Sequence, residues 1–332
     1  MTNWTIAKRR IAVLGAGGFL GRNLVNHLAT IGHEVLAIAR GDLSDQFVSS
    51  RIRIAQADVA DADFERPNSL TKLLRGIDVV YHFASSTNLT TNKDLQLEFG
   101  DTLDPLRNII AASAACKVRK IIYPSSGSVY AAGELPRTEQ SPTVDASAPT
   151  YAQAKLAAEA LLGELCPALG IQATILRIGN PYGPNQQPRR GQGVIAYWLD
   201  AIARGESVTI RGDGATQRDY IFIEDTCQML EYASRDLEHS ELYNVGTGRG
   251  VSLNELLATL RQLLPQTISV IHQPAQATDV PSIALSPSKL LSRMPPFHFT
   301  SLREGLQQVI AAQARLDRNS AATKTLHQTH SL

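Results

Sequence analysis

The sequence predicts an α/β protein with a doubly wound parallel sheet, in which helices cover both faces. Two observations predict this fold class. Short apolar runs alternate with stretches of helical spacing through the first half of the chain, and a glycine-rich segment joins the first apolar run to the first helical one. Strands that alternate with helices are joined by right-handed crossovers, which place helices on both faces of a parallel sheet.

The apolar runs predict six buried strands, and the spacing between them predicts the helices. The strands are predicted at 11–14, 34–39, 52–55, 78–83, 120–124 and 173–178. Helices are predicted at 20–31, 108–115 and 151–165.

The regular alternation ends after Gly179, where prolines and glycines crowd one loop. We predict a first domain over 1–178, to which about 219–248 returns because 243–246 resembles one more strand. A smaller C-terminal α/β domain, predicted over 179–316, covers the open end of the sheet and binds the substrate. The polar stretch 317–332 lacks periodicity and is predicted to be a disordered tail.

Composition excludes several classes of protein. Hydrophobic residues make up 43% of the 332 residues, and the net charge of +1 provides no basic footprint for a nucleic acid. Cys116, Cys166 and Cys227 have no paired spacing, so we expect neither a disulfide framework nor a metal site. We also expect no signal peptide and no membrane span, and therefore a cytoplasmic protein.

Residues 15–21 (GAGGFLG) lie between the first predicted strand and the first predicted helix. Glycines there suit a tight turn, close approach of the backbone to a pyrophosphate, and close packing of helix on strand. The helix N-terminus would present N–H groups to the phosphates. This context predicts a Rossmann-type domain that binds NAD(P). The predicted contacts in the loop are Gly15, Gly17, Gly18, Phe19 and Leu20.

The end of the second strand bears on the choice between NAD and NADP. An acidic residue that binds the ribose of NAD is expected about 20 residues further on, and Ala39 and Arg40 stand there instead. Arg40 suits a 2′-phosphate, so we favour NADP over NAD; a solvated loop arginine is the alternative, and Asp42 lies close by. Asp58, after the third strand, is placed to contact the adenine amino group or is a plain loop aspartate.

Three side chains predict proton and hydride chemistry at one end of the sheet. Ser126 follows a predicted strand, on the side where such folds bind ligands. Tyr151 and Lys155 are four residues apart on a predicted helix and share a face. Tyr151 would take a hydroxyl proton as hydride leaves the same carbon, while Ser126 holds the substrate oxygen. A Tyr–Lys pair alone is more common on a solvated helix face, but the three residues in this order favour catalysis.

Tyr151 can act as a base near neutrality only if its pKa is lowered. A free tyrosine has a pKa of about 10, so the change is about three pH units, or about 4 kcal/mol. One cation about 4 Å away contributes a similar amount at an effective dielectric constant of about 20. We therefore expect Lys155 to supply most of the lowering, with an oxidised nicotinamide adding to it.

These residues make the chain resemble the extended short-chain dehydrogenase/reductases, in particular the NAD-dependent epimerase/dehydratase family typified by UDP-glucose 4-epimerase. The resemblance covers roughly 10–310. The motifs that carry it are 15–21 (GAGGFLG), 81–85 (YHFAS), 125–130 (SSGSVY), 151–155 (YAQAK), 176–184 (LRIGNPYGP) and 218–221 (RDYI).

The resemblance implies that Ser126, Tyr151 and Lys155 form a catalytic triad and that Lys155 also binds the nicotinamide ribose. Arg218 would grip a diphosphate, with an ion pair to Asp213 or Asp219 as the alternative. The residues assigned to the nucleotide sugar are Ser126, Asn180, Gly193, Val194, Arg211 and Arg218. Further residues assigned to the cofactor are Val59, Phe83, Ala84, Ser85 and Ile178.

Three departures from the family pattern bear on the substrate and the cofactor. Gln276 stands three residues before Asp279, where the family commonly has an arginine for the diphosphate. Thr102 stands where the family has an asparagine, and the acid of the second strand is missing. The residues placed to complete the diphosphate clamp instead are Arg189, Arg190 and Arg249.

Gly127 and Ser128 occupy the places where the family's dehydratases carry acidic residues, so we disfavour elimination. The prediction is a nucleotide-sugar 4-epimerase of the UDP-hexose type, acting by transient hydride transfer to bound NAD(P). The alternative is an NADPH-dependent reductase or dehydrogenase of nucleotide 4-keto-sugars, which Arg40 suits better. A non-catalytic dinucleotide-binding regulator is less favoured, because it needs no activated phenol. The resemblance also implies a homodimer.

Overall fold

A seven-stranded parallel sheet forms the centre of the molecule. The computed structural model describes residues 7–61, 69–85, 94–188, 193–275 and 282–329. In these ranges the strands are β1 (Arg10–Leu14), β2 (Glu34–Ala39), β3 (Ile52–Gln56), β4 (Val79–His82), β5 (Lys120–Ser126), β6 (Gln172–Ile178), β7 (Asn180–Tyr182), β8 (Val208–Arg211), β9 (Gln217–Arg218), β10 (Tyr220–Phe222), β11 (Glu241–Val245), β12 (Val251–Ser252) and β13 (Val270–Gln273). The central sheet has the order β3-β2-β1-β4-β5-β6-β11, and its neighbouring strands are parallel throughout.

Helices cover the two faces of this sheet. The helices in the described ranges are α1 (Phe19–Thr30), α2 (Leu70–Leu73), α3 (Leu95–Ala115), α4 (Thr150–Ala168), α5 (Val194–Ala203), α6 (Ile223–Ala233), α7 (Leu253–Leu263), α8 (Ser288–Leu291) and α9 (Leu302–Thr329). Successive residues of a strand point to opposite faces. In β1, Ile11 and Val13 therefore join the core formed with α1 and α6, whereas Ala12 and Leu14 join the core formed with α3 and α4.

The predicted doubly wound parallel sheet is confirmed. Each of the six predicted strands occurs, with ends within two residues of those expected. The returning strand is β11, which pairs with β6 so that Tyr243 lies opposite Leu176. The helix predicted at 108–115 is longer and begins at Leu95. Its first half was not predicted because Pro105 interrupts the apolar spacing, although the proline does not end the helix. Asp94 caps its start by accepting a hydrogen bond from the Gln96 N–H.

In the described part of the chain, three two-stranded sheets are formed by strands that follow β6. β7 pairs with β10, β8 with β13, and β9 with β12. The first two pairs are parallel and the third is antiparallel.

The last helix differs from the sequence prediction. α9 continues to Thr329, so most of the stretch 317–332, predicted to be disordered, is helical. Extending an existing helix adds a hydrogen bond per residue without a new nucleation step, and therefore needs no apolar periodicity. None of the helices in the described part of the chain is both long and apolar enough to cross a membrane.

Candidate active site

The loop between β1 and α1 and the first turn of α1 each contain a position where only glycine fits. Gly15 has φ +82°, and a Cβ there would lie 2.5 Å from the backbone of Phe83 and Ala84. A Cβ on Gly21 would lie 2.3 Å from the carbonyl oxygen of Gly15. Gly15 therefore makes the turn, and Gly21 lets α1 pack directly against it, as the sequence predicts.

The N-terminus of α1 is suited to an anion. Gly18 precedes the helix without a side-chain cap, and the first turn holds no acidic residue. Gly17 and Gly18 are exposed, and Phe19 and Leu20 are half-buried. The unsatisfied N–H groups and positive end of the helix dipole at this place fit the pyrophosphate of a dinucleotide. No group of three or more metal-ligating side chains occurs among the described residues.

The other side of this cleft is formed by the segment after β4. The Phe83 N–H donates to the Leu14 carbonyl at 2.8 Å, which brings the segment against the end of β1. Ala84 and Ser85 continue it past Gly15. Ile178, at the end of β6, is buried two strands away on the same edge of the sheet.

The residues predicted to contact the adenosine half lie at the ends of β2 and β3. Arg40 is exposed, and the Gln56 amide donates to its carbonyl at 2.6 Å. Asp42 accepts hydrogen bonds from the N–H and hydroxyl of Ser44, which lower the pKa of Asp42. Asp58 accepts the N–H of Ala60 at 3.0 Å, in a turn of its own.

A second link ties this region to α3. The Asn108 amide donates to the carbonyl of Val59 at 3.4 Å and to that of Ala60 at 3.3 Å. The link fixes the backbone that follows β3 against the helix. Arg40 and Asp58 therefore lie on anchored strand ends.

Ser126, Tyr151 and Lys155 meet where β5 ends and α4 begins. Ser126 closes β5, Tyr151 lies in the first turn of α4, and Lys155 lies one turn further. The Ser126 hydroxyl lowers the pKa of the nearby Tyr151 phenol. The Ser128 N–H and hydroxyl donate to Ser126 Oγ at 3.2 and 3.0 Å, which orients the serine.

The electrostatics of the trio correct one expectation. Burial, with a smaller contribution from Glu98 on α3, raises the pKa of Tyr151 to about 12, so the phenol is not near neutrality although Lys155 is close by. The ammonium of Lys155 lies 5.8 Å from the centre of the Tyr151 ring. Burial also lowers the pKa of Lys155 to about 8, against the opposing effect of Glu159 and Glu98. Desolvation is therefore the largest influence on the pKa of both groups.

The residues predicted for the nucleotide sugar lie on the segments beyond β6. Asn180 begins β7, and its N–H donates to the Asp219 carbonyl at 2.7 Å. Gly193 caps α5 with φ +63°, just before Val194. Arg211 ends β8 and is exposed. Arg218 is half-buried on β9, where its guanidinium donates to the Gln217 carbonyl at 2.8 Å.

The predicted diphosphate clamp is described only in part. Arg249 is exposed and forms an ion pair with Glu255. The other residues named for the clamp, Arg189, Arg190, Gln276 and Asp279, lie outside the described residues. Thr102 is half-buried in α3.

Asp219, beside Arg218, is a junction that the sequence did not indicate as one. Its carboxylate is fully buried and accepts the N–H groups of Thr247, Gly248 and Leu285 at 2.8 to 3.1 Å. It thereby joins three segments that are far apart in the chain. Burial raises the pKa of Asp219 in spite of these hydrogen bonds.

A buried ion pair beneath the trio was also missed. Arg177 on β6 binds both carboxylate oxygens of Glu159, at 3.0 and 2.6 Å, and the Ser125 hydroxyl donates to the same carboxylate. Glu159 is four residues after Lys155, so its place on the same helix face could have been predicted. Its partners could not be predicted, because they lie on strands that are distant from it in the chain.

Comparisons with known proteins agree with this geometry. A family model described as the NAD dependent epimerase/dehydratase family matches residues 11–246. The UDP-glucose 4-epimerase of Mycolicibacterium smegmatis is 32% identical over 260 residues, 74% of this chain and 80% of that protein. The UDP-N-acetyl-alpha-D-glucosaminuronate decarboxylase of Bacillus cytotoxicus is 25% identical over 319 residues, 91% of this chain and 97% of that protein.

A solved structure shares the fold over nearly the same extent. The Thermus thermophilus UDP-glucose 4-epimerase in complex with NAD has a TM-score of 0.79 and 25% identity, covering 91% of this chain and 98% of that one. The match to the family model extends over the glycine loop and the Ser–Tyr–Lys trio alike. This chain belongs to the NAD-dependent epimerase/dehydratase family and is an enzyme of that family.

Proposed function

We propose that this enzyme is a nucleotide-sugar 4-epimerase of the UDP-hexose type, which transfers hydride transiently to bound NAD(P). The observation that carries the proposal is the meeting of Ser126, Tyr151 and Lys155 at the edge of the sheet that also holds the glycine loop. The similarity to the UDP-glucose 4-epimerase of M. smegmatis supports the choice of substrate class.

Each side chain has a defined part in this reaction. When bound, the oxidised dinucleotide supplies the acceptor that takes the hydride from C4 and later returns it. Tyr151 takes the proton of the C4 hydroxyl and gives it back to the C4 oxygen once the 4-keto sugar has turned over and presents its other face. Ser126, oriented by Ser128, holds the sugar oxygen, and the Lys155 ammonium stabilises the phenolate.

The surroundings of Gly127 support epimerisation over elimination. A Cβ at Gly127 would lie 3.1 Å from Ile283 Cγ2 and 3.2 Å from Leu285 Cδ1. The place where dehydratases of the family carry an acidic side chain is therefore filled by an apolar cluster, which also contains Val129 and Tyr130. An aspartate or glutamate would have to displace that cluster.

For the cofactor we propose NADP in preference to NAD. Arg40 is exposed at the end of β2, and the nearby Asp42 is engaged by Ser44. The exposed guanidinium of Arg40 is thus available to a 2′-phosphate. Mass spectrometry of the nucleotide that copurifies with the enzyme tests this choice. NADP is expected, and bound NAD alone would contradict the role of Arg40.

Activity on UDP-sugars separates the epimerase from the runner-up. The purified enzyme is incubated with UDP-glucose or UDP-galactose and followed by NMR. The expected result is interconversion of the two without net consumption of added cofactor. Stoichiometric oxidation of NADPH with a nucleotide 4-keto-sugar, in place of interconversion, would establish the reductase that Arg40 also suits. Cofactor binding without either reaction would favour a regulator.

We further propose that the chain divides into a cofactor domain, 1–178 with 219–248, and a nucleotide-sugar domain, 179–316. The contact of α6 with α1 and the pairing of β11 with β6 support the return of 219–248 to the first domain.

A homodimer is proposed as the assembly, to be tested by sedimentation. The free cysteines fit a reducing compartment such as the cytoplasm.

A further inference from the structure

Lys155 lies between two phenols, and only Tyr151 belongs to the proposed catalytic trio. The second phenol is Tyr123, on β5 three residues before Ser126. Lys155 Nζ lies 4.7 Å from the centre of the Tyr123 ring, closer than its 5.8 Å to the Tyr151 ring. The same ammonium donates hydrogen bonds to Tyr123 Oη at 3.3 Å and to the Pro124 carbonyl at 3.0 Å.

The Tyr123 side chain is buried and packed on several sides. It is 2% exposed and lies in the core beneath α3 and α4. The ring of His82 on β4 packs against it, with centroids 5.8 Å apart. Burial lowers the pKa of His82 to about 3, so this imidazole is neutral. Burial also raises the pKa of Tyr123, which keeps its phenol protonated.

We propose that Tyr123 is a positioning residue that acts through Lys155, holding the ammonium with its hydroxyl oxygen and ring face so that the charge stays directed at Tyr151. Its consequence for catalysis rests on the proposed function of Tyr151, whereas the contact with Lys155 does not. A phenol suits this place because it combines an acceptor with a π face for the cation.

The hydroxyl matters because the ammonium is buried. Burial disfavours the charged form of Lys155, and each hydrogen bond that the ammonium donates favours it. Without Tyr123 Oη, the ammonium would lose its proton more readily, and of these two contacts only the one with the Pro124 carbonyl would hold its flexible stem. Both changes weaken the stabilisation of a Tyr151 phenolate.

Titratable groups from four elements face Lys155 and Tyr151. Besides Lys155 and Tyr151 themselves, which lie on α4, they are His82 on β4, Glu98 on α3, Tyr123 on β5 and Glu159 on α4. Glu98 and Glu159 raise the pKa of Lys155, and Glu98 also raises that of Tyr151. Replacing Tyr123 by phenylalanine leaves the other groups in place. A changed titration would therefore report the lost hydroxyl.

The direct test is the titration of Lys155 in full-length Tyr123→Phe protein labelled with 13C at the lysine ε-carbons. Loss of one resonance in Lys155→Met assigns the signal. We expect a midpoint near pH 8 in the unsubstituted protein. In Tyr123→Phe the midpoint should fall by about one pH unit, and kcat should fall about tenfold with little change in KM.

Tyr81→Phe is the matched control. Tyr81 is fully buried on β4, and its hydroxyl donates to the Leu230 carbonyl at 3.1 Å on the opposite face of the sheet. It should lower the midpoint of thermal unfolding without changing the Lys155 titration or kcat. Thermal unfolding of both variants shows that each has folded.

Four outcomes decide the matter. An unchanged Lys155 midpoint in Tyr123→Phe, or the same change in Tyr81→Phe, would overturn the positioning role. In a Lys155→Met background, Tyr123→Phe should cause no further loss of NAD(P) affinity, and an added loss would also count against it. A shifted Lys155 midpoint in an enzyme that converts no UDP-sugar would place the failure with the proposed function and leave the role of Tyr123 standing.

Discussion

At the scale of single residues, the proposed reaction depends on the groups that surround the Tyr151 phenol. Because burial raises its pKa to about 12, the phenol is protonated at neutral pH unless a nearby positive charge opposes burial. We expect Tyr151→Phe to lower turnover of UDP-sugars by about 10³-fold, since the proton acceptor is lost. Dinucleotide affinity, measured by fluorescence titration, should stay within about twofold, because the ring is retained. Turnover close to that of the unsubstituted enzyme would rule Tyr151 out as the base.

Glu159 illustrates the cost of removing one member of a buried ion pair. It binds Arg177 through both carboxylate oxygens, and both side chains are less than a tenth exposed. Glu159→Gln should therefore lower the free energy of unfolding by about 3–5 kcal/mol, measured with urea. Glu164→Gln, on the exposed side of the same helix, should change it by less than about 0.5 kcal/mol. Equal effects of the two substitutions would show that the Glu159–Arg177 pair does not stabilise the fold.

At the scale of elements, the contact between β1 and α1 depends on one missing methyl group. A Cβ on Gly21 would overlap the carbonyl of Gly15, so Gly21→Ala must push α1 away from the strand. We expect a loss of about 1–3 kcal/mol in the free energy of unfolding, together with weaker NAD(P) binding.

Gly163→Ala provides the control for that substitution. Gly163 is exposed on α4, and nothing lies within 4 Å of a Cβ built there. Alanine in an exposed helix should stabilise the protein by about 0.5–1 kcal/mol and leave NAD(P) affinity unchanged. A stable, tightly binding Gly21→Ala protein would show that α1 has room to move.

At the scale of the whole molecule, Lys120 makes stability depend on pH. It is fully buried at the start of β5, and its ammonium donates to the carbonyls of Asp236 and His239 after α6. Burial lowers the pKa of Lys120 to about 8. Between pH 8 and about 10.4, the usual lysine value, the unfolded chain binds more protons at this site, so its contribution favours folding increasingly as pH rises.

This dependence is measured as a difference between two proteins. The free energy of unfolding of the unsubstituted protein, minus that of Lys120→Met, should increase by up to about 1.4 kcal/mol per pH unit over this window. Buried thiols and phenols with raised pKa values oppose the trend in both proteins and cancel in the comparison. Lys117→Met, at an exposed lysine, should show no such trend. A constant difference for Lys120→Met would refute the assignment.

Local features of the sequence predict much of this enzyme. The strands, the glycine loop and the spacing of Tyr151 and Lys155 follow from periodicities of two and about 3.6 residues and from the backbone freedom of glycine. These depend on neighbours in the chain, so they can be recognised before any tertiary contact is known. The start of α3 at Leu95 escaped prediction because Pro105 lies inside the helix and breaks its apolar spacing.

By itself, the sequence determined the doubly wound sheet, the loop at Gly15 and the order Ser126, Tyr151, Lys155. Only the tertiary structure decided that Tyr123 lies under Lys155 and that Asp219 joins the loops beside Arg218. It also decided that the pKa of Tyr151 is raised and not lowered. The reason is that desolvation depends on what surrounds a group in space, and segments distant in the chain meet there only after packing is complete.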